Sequence, residues 1–136
     1  MKVVLDEGAF MPTRAHDNDA GLDLYAREDA IVCAEESAIF DTGVHVELPP
    51  DTVGFIKSKS GLYMKYGITS DGVIDEGYTG SIVVKLCNHG GRGYKVHKGD
   101  KISQLVVLPI MKPTPEIAKT LGITDRGDNG FGSTGR

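Results

Sequence analysis

Short apolar runs recur along the chain, and turn-forming residues separate them. Runs of this length, many with period-two alternation, are typical of β-strands. Glycine, proline and Asx-rich turns follow at 18–19, 49–51, 89–91 and 98–100. The pattern therefore predicts strands at residues 2–5, 22–26, 30–33, 38–40, 44–48, 53–57, 81–87, 93–97 and 101–109.

Helix is predicted in two places. Residues 61–66 follow Ser60, a residue type that caps helices well, and one further turn is predicted at 115–121. Many short strands at close spacing favour an all-β sandwich, jelly roll or small barrel. The chain is predicted to be a single domain over residues 1–136, with one short helix, a flexible C-terminal arm from about residue 112 and a glycine-rich lid at 126–135.

Composition narrows the possible partners. A chain of 136 residues with a net charge of −4 and a pI near 5.5 offers no broad basic surface, so we expect neither nucleic acid nor membrane as a partner. The longest apolar run, 105–110, is too short to span a bilayer. Cys33 and Cys87 lie in strand-like segments and match no metal spacing. We expect both to be buried reduced thiols in a cytoplasmic protein.

Two segments in the first half of the chain carry residues suited to a phosphorylated ligand. Asp23 interrupts an apolar strand. It is either an outward-facing acid or a carboxylate that helps to hold a hard cation, directly or through water. The segment KSKSGL at 57–62 precedes the predicted helix. It is either a phosphate cradle of amides, hydroxyls and ammonium groups or a capped helix with solvated lysines.

Three later segments add further candidates. In GVIDEGYTG at 72–80, Asp75 is suited to deprotonate a water and Tyr78 to pack against a sugar, although a hairpin with an incidental acid has the same pattern. Gln104 follows a turn at 99–100 and has a structural interpretation when taken alone. In the tail, glycine amides, the Arg126 fork and the Phe131 ring suit phosphates and a base.

In this order, the five segments resemble the five motifs of the trimeric dUTPase family, and the resemblance runs from Ala20 to Gly135. GVIDEGYTG and RGDNGFGSTG are its most specific parts. The resemblance implies jelly-roll subunits, a homotrimer whose active sites each draw on three chains, and magnesium-assisted hydrolysis of dUTP to dUMP and pyrophosphate.

The resemblance also implies a role for individual residues. Asp75 would activate the attacking water, and Asp23 would support Mg²⁺ through its water shell. Lys59 stands where the family usually has arginine, and it keeps the charge but loses the bidentate fork. The implied substrate contacts are Lys59, Ser60, Gly61, Gly72, Ile74, Tyr78, Gln104, Arg126, Phe131, Gly132, Ser133 and Thr134.

Two alternatives remain at this stage. A dCTP deaminase shares the fold and a similar ribbon, but the position of its catalytic glutamate is Lys85 here, and deaminases lack the GFGSTG lid. A nucleotide-sensing regulatory module is the other alternative, against which the intact Asp75 and complete lid argue. The four histidines, at 16, 45, 89 and 97, show no ligand spacing and are expected to be structural or surface residues.

Overall fold

A computed structural model describes residues 1–130 of the chain. Over that range the chain forms strands and one short helix. In chain order they are β1 Lys2–Leu5, β2 Gly21–Tyr25, β3 Ala30–Val32, β4 Ser37–Asp41, β5 Val44–Glu47, β6 Thr52–Lys57, α1 Ser60–Tyr66, β7 Ile68–Thr69, β8 Asp71–Ile74, β9 Val83–Asn88, β10 Tyr94–Val96 and β11 Lys101–Pro109.

The strands pair in antiparallel fashion in small sheets. The largest has the order β2–β11–β6–β8, and a second has the order β4–β9–β7. Two-stranded pairs join β1 to β5 and β10 to β3. In β9 the side chains alternate between core and solvent: Val84 and Leu86 are buried, whereas Val83 and Lys85 are exposed. This alternation is typical of antiparallel sheets that have one solvated face.

The core is aliphatic and lies between these sheets. Its fully buried side chains include Leu24, Ile56, Ile82, Leu86 and Leu105, which come from β2, β6, β9, β11 and the segment before β9. The all-β prediction with one short helix is thereby confirmed, and the predicted bounds of β1 and β11 match the observed ones. The pattern missed β7 because two residues are too few to show alternation.

The predicted cap of α1 is wrong. The helix begins at Ser60 itself, and the N-cap is Lys59, which has extended backbone and no side-chain capping bond. At the other end Gly67 adopts a left-handed conformation with φ 68°, and its N–H donates to Tyr63 O at 2.9 Å. A glycine is favoured there because it has no Cβ to clash in that conformation.

Two other sequence predictions are also wrong. Residues 115–121 form no helix, and Ile117 and Leu121 are almost fully exposed. A single helical turn without a surface to pack against is unstable in water. The cysteines are not buried thiols: Cys33 is exposed just beyond β3, and Cys87 is half-buried in β9.

The C-terminal arm leaves the body of the protein after β11. Residues 111–130 are exposed and have no helix or strand. Phe131, Gly132, Ser133 and Thr134 lie outside the described residues. Within residues 1–130, no helix has the length and apolar character needed to cross a membrane.

Candidate active site

Three strands of the largest sheet bring segments from distant parts of the chain side by side. The register places Gln104 of β11 opposite Asp23 of β2 on one side and opposite Lys57 of β6 on the other. Neighbouring strands lie about 4.8 Å apart. The segments around Asp23, Lys57 and Gln104 are therefore neighbours at one end of the sheet. We call Asp23, Lys59, Lys101 and Gln104 the sheet-end cluster.

Asp23 is a buried carboxylate bound by two lysines. Its residue is 4% exposed, Oδ1 accepts from Lys59 Nζ at 2.5 Å, and Oδ2 accepts from Lys101 Nζ at 2.8 Å. Burial alone would raise the pKa of Asp23, but hydrogen bonds and charge from Lys101 and Lys59 outweigh it, so the pKa is lowered. The bond to Asp23 in turn raises the pKa of Lys101. Two ammonium groups are thus held together at the end of the sheet.

The side chain of Gln104 lies over a glycine. A Cβ built on Gly21 would come 2.2 Å from Gln104 Oε1, so any larger residue at that position would displace the amide. Gln104 Nε2 donates to Ser58 O at 3.1 Å. Gly21 therefore positions Gln104 against the segment that leads into α1, a role that the sequence analysis missed.

A buried hydroxyl network supports the same segment. Ser103 Oγ donates to Lys57 O at 2.9 Å and lies 2.8 Å from Ser70 Oγ, which donates to it. Ser58 Oγ accepts from Ser70 N at 2.9 Å and donates to Ser70 O at 3.0 Å. Ser70 and Ser103 are buried. Neither serine was predicted to be a site residue, although a serine within the apolar run of β11 was a signal of a buried polar contact.

Ser60 and Gly61 lie at the exposed start of α1, next to this network. A Cβ built on Gly61 would meet nothing within 4 Å. Lys59, immediately before them, is half-buried because its ammonium group is bound to Asp23. The predicted residues Asp23, Lys59, Ser60, Gly61 and Gln104 are thus brought to one end of the sheet.

The segment at 72–80, which we call the ribbon, begins within the edge strand β8 and continues beyond its end. Gly72 lies opposite Ile56, and the buried Ile74 lies opposite Gly54. After Ile74 the chain turns, because Tyr78 N donates to Asp75 O at 2.9 Å. Tyr78 Oη donates to Ser81 O at 2.9 Å. The tyrosine ring covers Gly80, where a Cβ would lie 2.5 Å from Tyr78 Oη. Asp75 is exposed.

Within one chain, Asp75 of the ribbon lies away from the sheet-end cluster. Asp71 lies opposite Lys57, next to the cluster. Asp75 follows four residues later, which along a strand corresponds to about 13 Å. Asp75 instead lines a cleft of about 530 Å³ with Pro50, Ile110 and Lys112. Within one copy of the chain, the candidate base Asp75 is therefore separated from Lys59 and Lys101.

A second ion-pair network joins the ribbon to the start of the arm. Lys112 Nζ lies 2.8 Å from Asp51 Oδ1 and 2.7 Å from Glu76 Oε2. Asp51 N also donates to Glu76 Oε2 at 3.1 Å. The pKa of Lys112 is raised by Asp51 and then Glu76, and the pKa of Glu76 is lowered by Lys112. This exposed network fixes the point at which the arm departs.

Arg126 lies on the arm, away from both groups. Its side chain is exposed, and Nε donates to Asn129 O at 3.1 Å. Within residues 1–130 no hydrogen bond or ion pair links it to the sheet-end cluster or to the ribbon. That part of the chain likewise holds no group of three His, Cys, Asp or Glu side chains able to bind a metal ion.

These features define a class of protein: a small antiparallel β-protein with a lysine-bound carboxylate at a sheet end and a glycine-bounded ribbon that carries a lone acid. A sequence model of the dUTPase family matches residues 7–135. The chain belongs to the dUTPase family.

The relatives agree along nearly their whole length. The deoxyuridine 5'-triphosphate nucleotidohydrolase of Clostridium acetobutylicum is 46% identical over 134 residues, covering 96% of this chain and 92% of the relative. That of Crocosphaera subtropica is 44% identical over 136 residues, covering 98% of this chain and 96% of the relative.

Solved structures of phage enzymes share the fold. A variant of the dUTPase of Staphylococcus bacteriophage 80alpha, solved with dUpNHpp, has a TM-score of 0.93 and 28% identity, covering 99% of this chain and 98% of that one. A variant dUTPase from phage phi11 of S. aureus has a TM-score of 0.81 and 29% identity, covering 88% of this chain and 96% of that one. That structure describes the coordination of a structural Mg(II) ion.

Proposed function

We propose that this chain hydrolyses dUTP to dUMP and pyrophosphate, and that each active site combines the sheet-end cluster of one copy with the ribbon of another. The observation that carries this proposal is the separation of about 13 Å along β8 between Asp75 and the Lys57–Asp71 pair. A second copy that places its ribbon against the cluster would supply the missing base. The activity is supported by family membership and by relatives named for it.

At the sheet-end cluster, the proposed role is to bind the triphosphate. Lys59 supplies positive charge, Ser60 and Gly61 supply hydrogen bonds at the exposed start of α1, and Gln104 supplies them from β11. Fixed positive groups and donors of this kind stabilise charge that develops on phosphate oxygens. Asp23 orients the ammonium group of Lys59 through the bond of 2.5 Å.

The ribbon is proposed to bind the nucleoside and to supply the base. The carboxylate of Asp75 takes the proton of a water that attacks the α-phosphate in line with the leaving pyrophosphate. Gly72 and Ile74 present backbone groups to uracil, and the ring of Tyr78 packs against the deoxyribose and leaves no room for a 2′-hydroxyl. The proposed lid consists of Arg126, Phe131, Gly132, Ser133 and Thr134.

Asp23 is suited to bind Mg²⁺ through the water shell of the ion. Mg²⁺ retains several waters and is usually held by one or two carboxylates together with substrate phosphates. Both oxygens of Asp23 already accept from lysines, and each keeps one further acceptor site. This carboxylate is therefore suited to accept from a metal-bound water. When bound, the ion neutralises charge on the triphosphate. The homotrimer and the cytoplasmic location remain proposals that rest on the sequence.

Pyrophosphate release from dUTP, UTP, dCTP and dTTP tests the activity. We expect release from dUTP, strong discrimination against the other three, and loss of turnover in Asp75→Asn with retained binding of dUTP. A deaminase would instead release ammonia from dCTP; the position of its glutamate is Lys85, which points to solvent from β9. Absence of pyrophosphate from dUTP would refute the proposed function.

A further inference from the structure

A histidine of β5 contacts the far end of the ribbon through one ring nitrogen and the turn after β1 through the other. His45 Nδ1 lies 2.9 Å from Thr79 O, and Nε2 lies 3.3 Å from Asp6 Oδ1. A backbone carbonyl and a carboxylate are both acceptors and carry no proton to donate. Both contacts are therefore satisfied together only when each ring nitrogen carries a proton, that is, when His45 is an imidazolium.

The carboxylates near His45 favour that state. Asp6 faces it from the turn after β1 and also pairs with Arg27, which follows β2, at 3.1 Å. Asp41, at the end of β4, is the second nearby carboxylate. Lys2 and Glu47, which pair with each other, line the same cavity of about 420 Å³. The pKa of His45 is raised, chiefly by the bond to Thr79; burial opposes this shift, and Asp6 and Asp41 add to it.

Three contacts anchor the end of the ribbon, and His45 makes one of them. Tyr78 Oη donates to Ser81 O, the Ser81 hydroxyl donates to Asp41, and His45 holds Thr79 O. The Thr79 carbonyl belongs to the peptide that leads into Gly80, the residue that the Tyr78 ring covers, so movement of this carbonyl shifts the backbone on which the ring rests. Of the three anchoring groups that donate, the imidazole is the one that titrates near neutral pH.

We propose that His45 is a positioning residue whose imidazolium form holds Thr79, and through it Tyr78, so that discrimination between deoxyribose and ribose weakens as pH rises through its titration. This inference rests on the proposed function. A neutral imidazole keeps a single N–H, and the carboxylate of Asp6 is the stronger acceptor. The proton then stays on Nε2, and Nδ1 turns a lone pair toward Thr79 O.

The test compares kcat/KM for dUTP and for UTP as a function of pH. The ratio of the two cancels the effects of pH on the chemical step, on the triphosphate and on any metal-bound water, since both substrates share them. In the wild type we expect this ratio to fall on the order of fivefold across the His45 titration, less than the full effect of one lost hydrogen bond from a charged donor, because Thr79 acts on the sugar only through Tyr78. The titration itself is followed by ¹⁵N spectra of the imidazole nitrogens.

Two variants and one control make the comparison specific. In His45→Asn the amide nitrogen occupies the place of Nδ1 and donates to Thr79 at every pH, so the ratio should stay high and independent of pH. In His45→Leu that donor is absent, and the ratio should be low and independent of pH. His97→Gln removes another histidine next to a carboxylate, Asp100 at 3.6 Å, and should behave like the wild type.

A wild-type ratio that stays constant while the spectra show His45 titrating would overturn the proposal. A His45→Leu variant with the wild-type ratio would also do so, as would spectra that show only one protonated ring nitrogen of His45 at the pH where the ratio is high. Failure of the proposed function is distinguishable, because it appears as absence of turnover with dUTP, whereas the protonation of both ring nitrogens is read from the spectra without substrate.

Discussion

Mixing two inactive variants tests the division of the site between copies. One variant carries Asp75→Asn and keeps its sheet-end cluster; the other carries Lys59→Ala and Gln104→Ala and keeps its ribbon. Each lost contact to a charged phosphate oxygen is worth about 1.5–3 kcal/mol. The double variant should therefore lose on the order of a hundredfold or more in kcat/KM. Unfolding, mixing at equal amounts and refolding lets the two chains assemble together.

The size of the recovery follows from how the site is divided. If each site takes its ribbon from one copy and its cluster from the next, half of the ribbons and half of the clusters are intact, and they combine independently. About one quarter of the sites in a mixed population then hold both parts, as expected for head-to-tail contacts in a ring. If the two parts came from the same chain, every site would lack one of them and activity would not return.

The assay is pyrophosphate release from dUTP after refolding, with mixed assemblies verified by mass spectrometry. The matched control mixes Asp75→Asn with a chain that carries all three changes, since every ribbon in that mixture lacks the base. Mixed assemblies without recovered activity would refute the division of the site derived from the β6–β8 register, and would leave dUTP hydrolysis itself standing. The same design with a chain that ends after Asp125 asks whether the arm also acts on another copy.

Three further predictions concern single contacts. Ser103→Ala leaves the Ser70 hydroxyl and Lys57 O without their buried partner and should lower the free energy of unfolding by about 1–3 kcal/mol, whereas adding Ser70→Ala should cost less than a second such loss. Denaturant unfolding of the wild type, the two single variants and the double variant checks this coupling. The pKa of Asp23 is lowered by its lysines, so the contribution of this carboxylate to stability is present above the unfolded pKa of about 3.9 and is lost as pH falls through the folded value. In metal-free buffer, the free energy of unfolding of Asp23→Asn should therefore decrease less steeply with falling pH than that of the wild type. Tyr78→Ala should raise kcat/KM for UTP relative to dUTP by opening space at the 2′ position, and an unchanged ratio would remove Tyr78 from that role.

Local patterns in the sequence predicted much of the fold. Strands such as β11 show their period in their own residues, so the bounds 101–109 could be predicted without tertiary information. The start of α1 was off by one residue because a serine was expected to cap a helix that it instead begins. The segment at 115–121 was predicted as helix from residue type alone, and the exposure of Ile117 shows that no surface stabilises it there.

Contacts within the site depended on register and were beyond local patterns. Asp23 and Lys101 are 78 residues apart in the sequence, and they meet because β2 pairs with β11 in one particular register. The same applies to His45, which was expected to be structural or on the surface and whose contact with the carbonyl of Thr79 depends on the tertiary fold. The resemblance of the five segments to the dUTPase motifs named the site residues without indicating which of them lie together in one chain.

The separation of Asp75 from the lysines has an electrostatic consequence for the proposed reaction. Where a carboxylate and ammonium groups share a sheet end, they bind each other, as Asp23 does with Lys59 and Lys101. A base placed in that cluster would be occupied by a lysine and less able to accept a proton from water. About 13 Å of strand keeps Asp75 out of such a pair within its own chain. In the proposed assembly the base then faces the cluster of another copy across the triphosphate, whose charge occupies the lysines and leaves the carboxylate free to orient the attacking water.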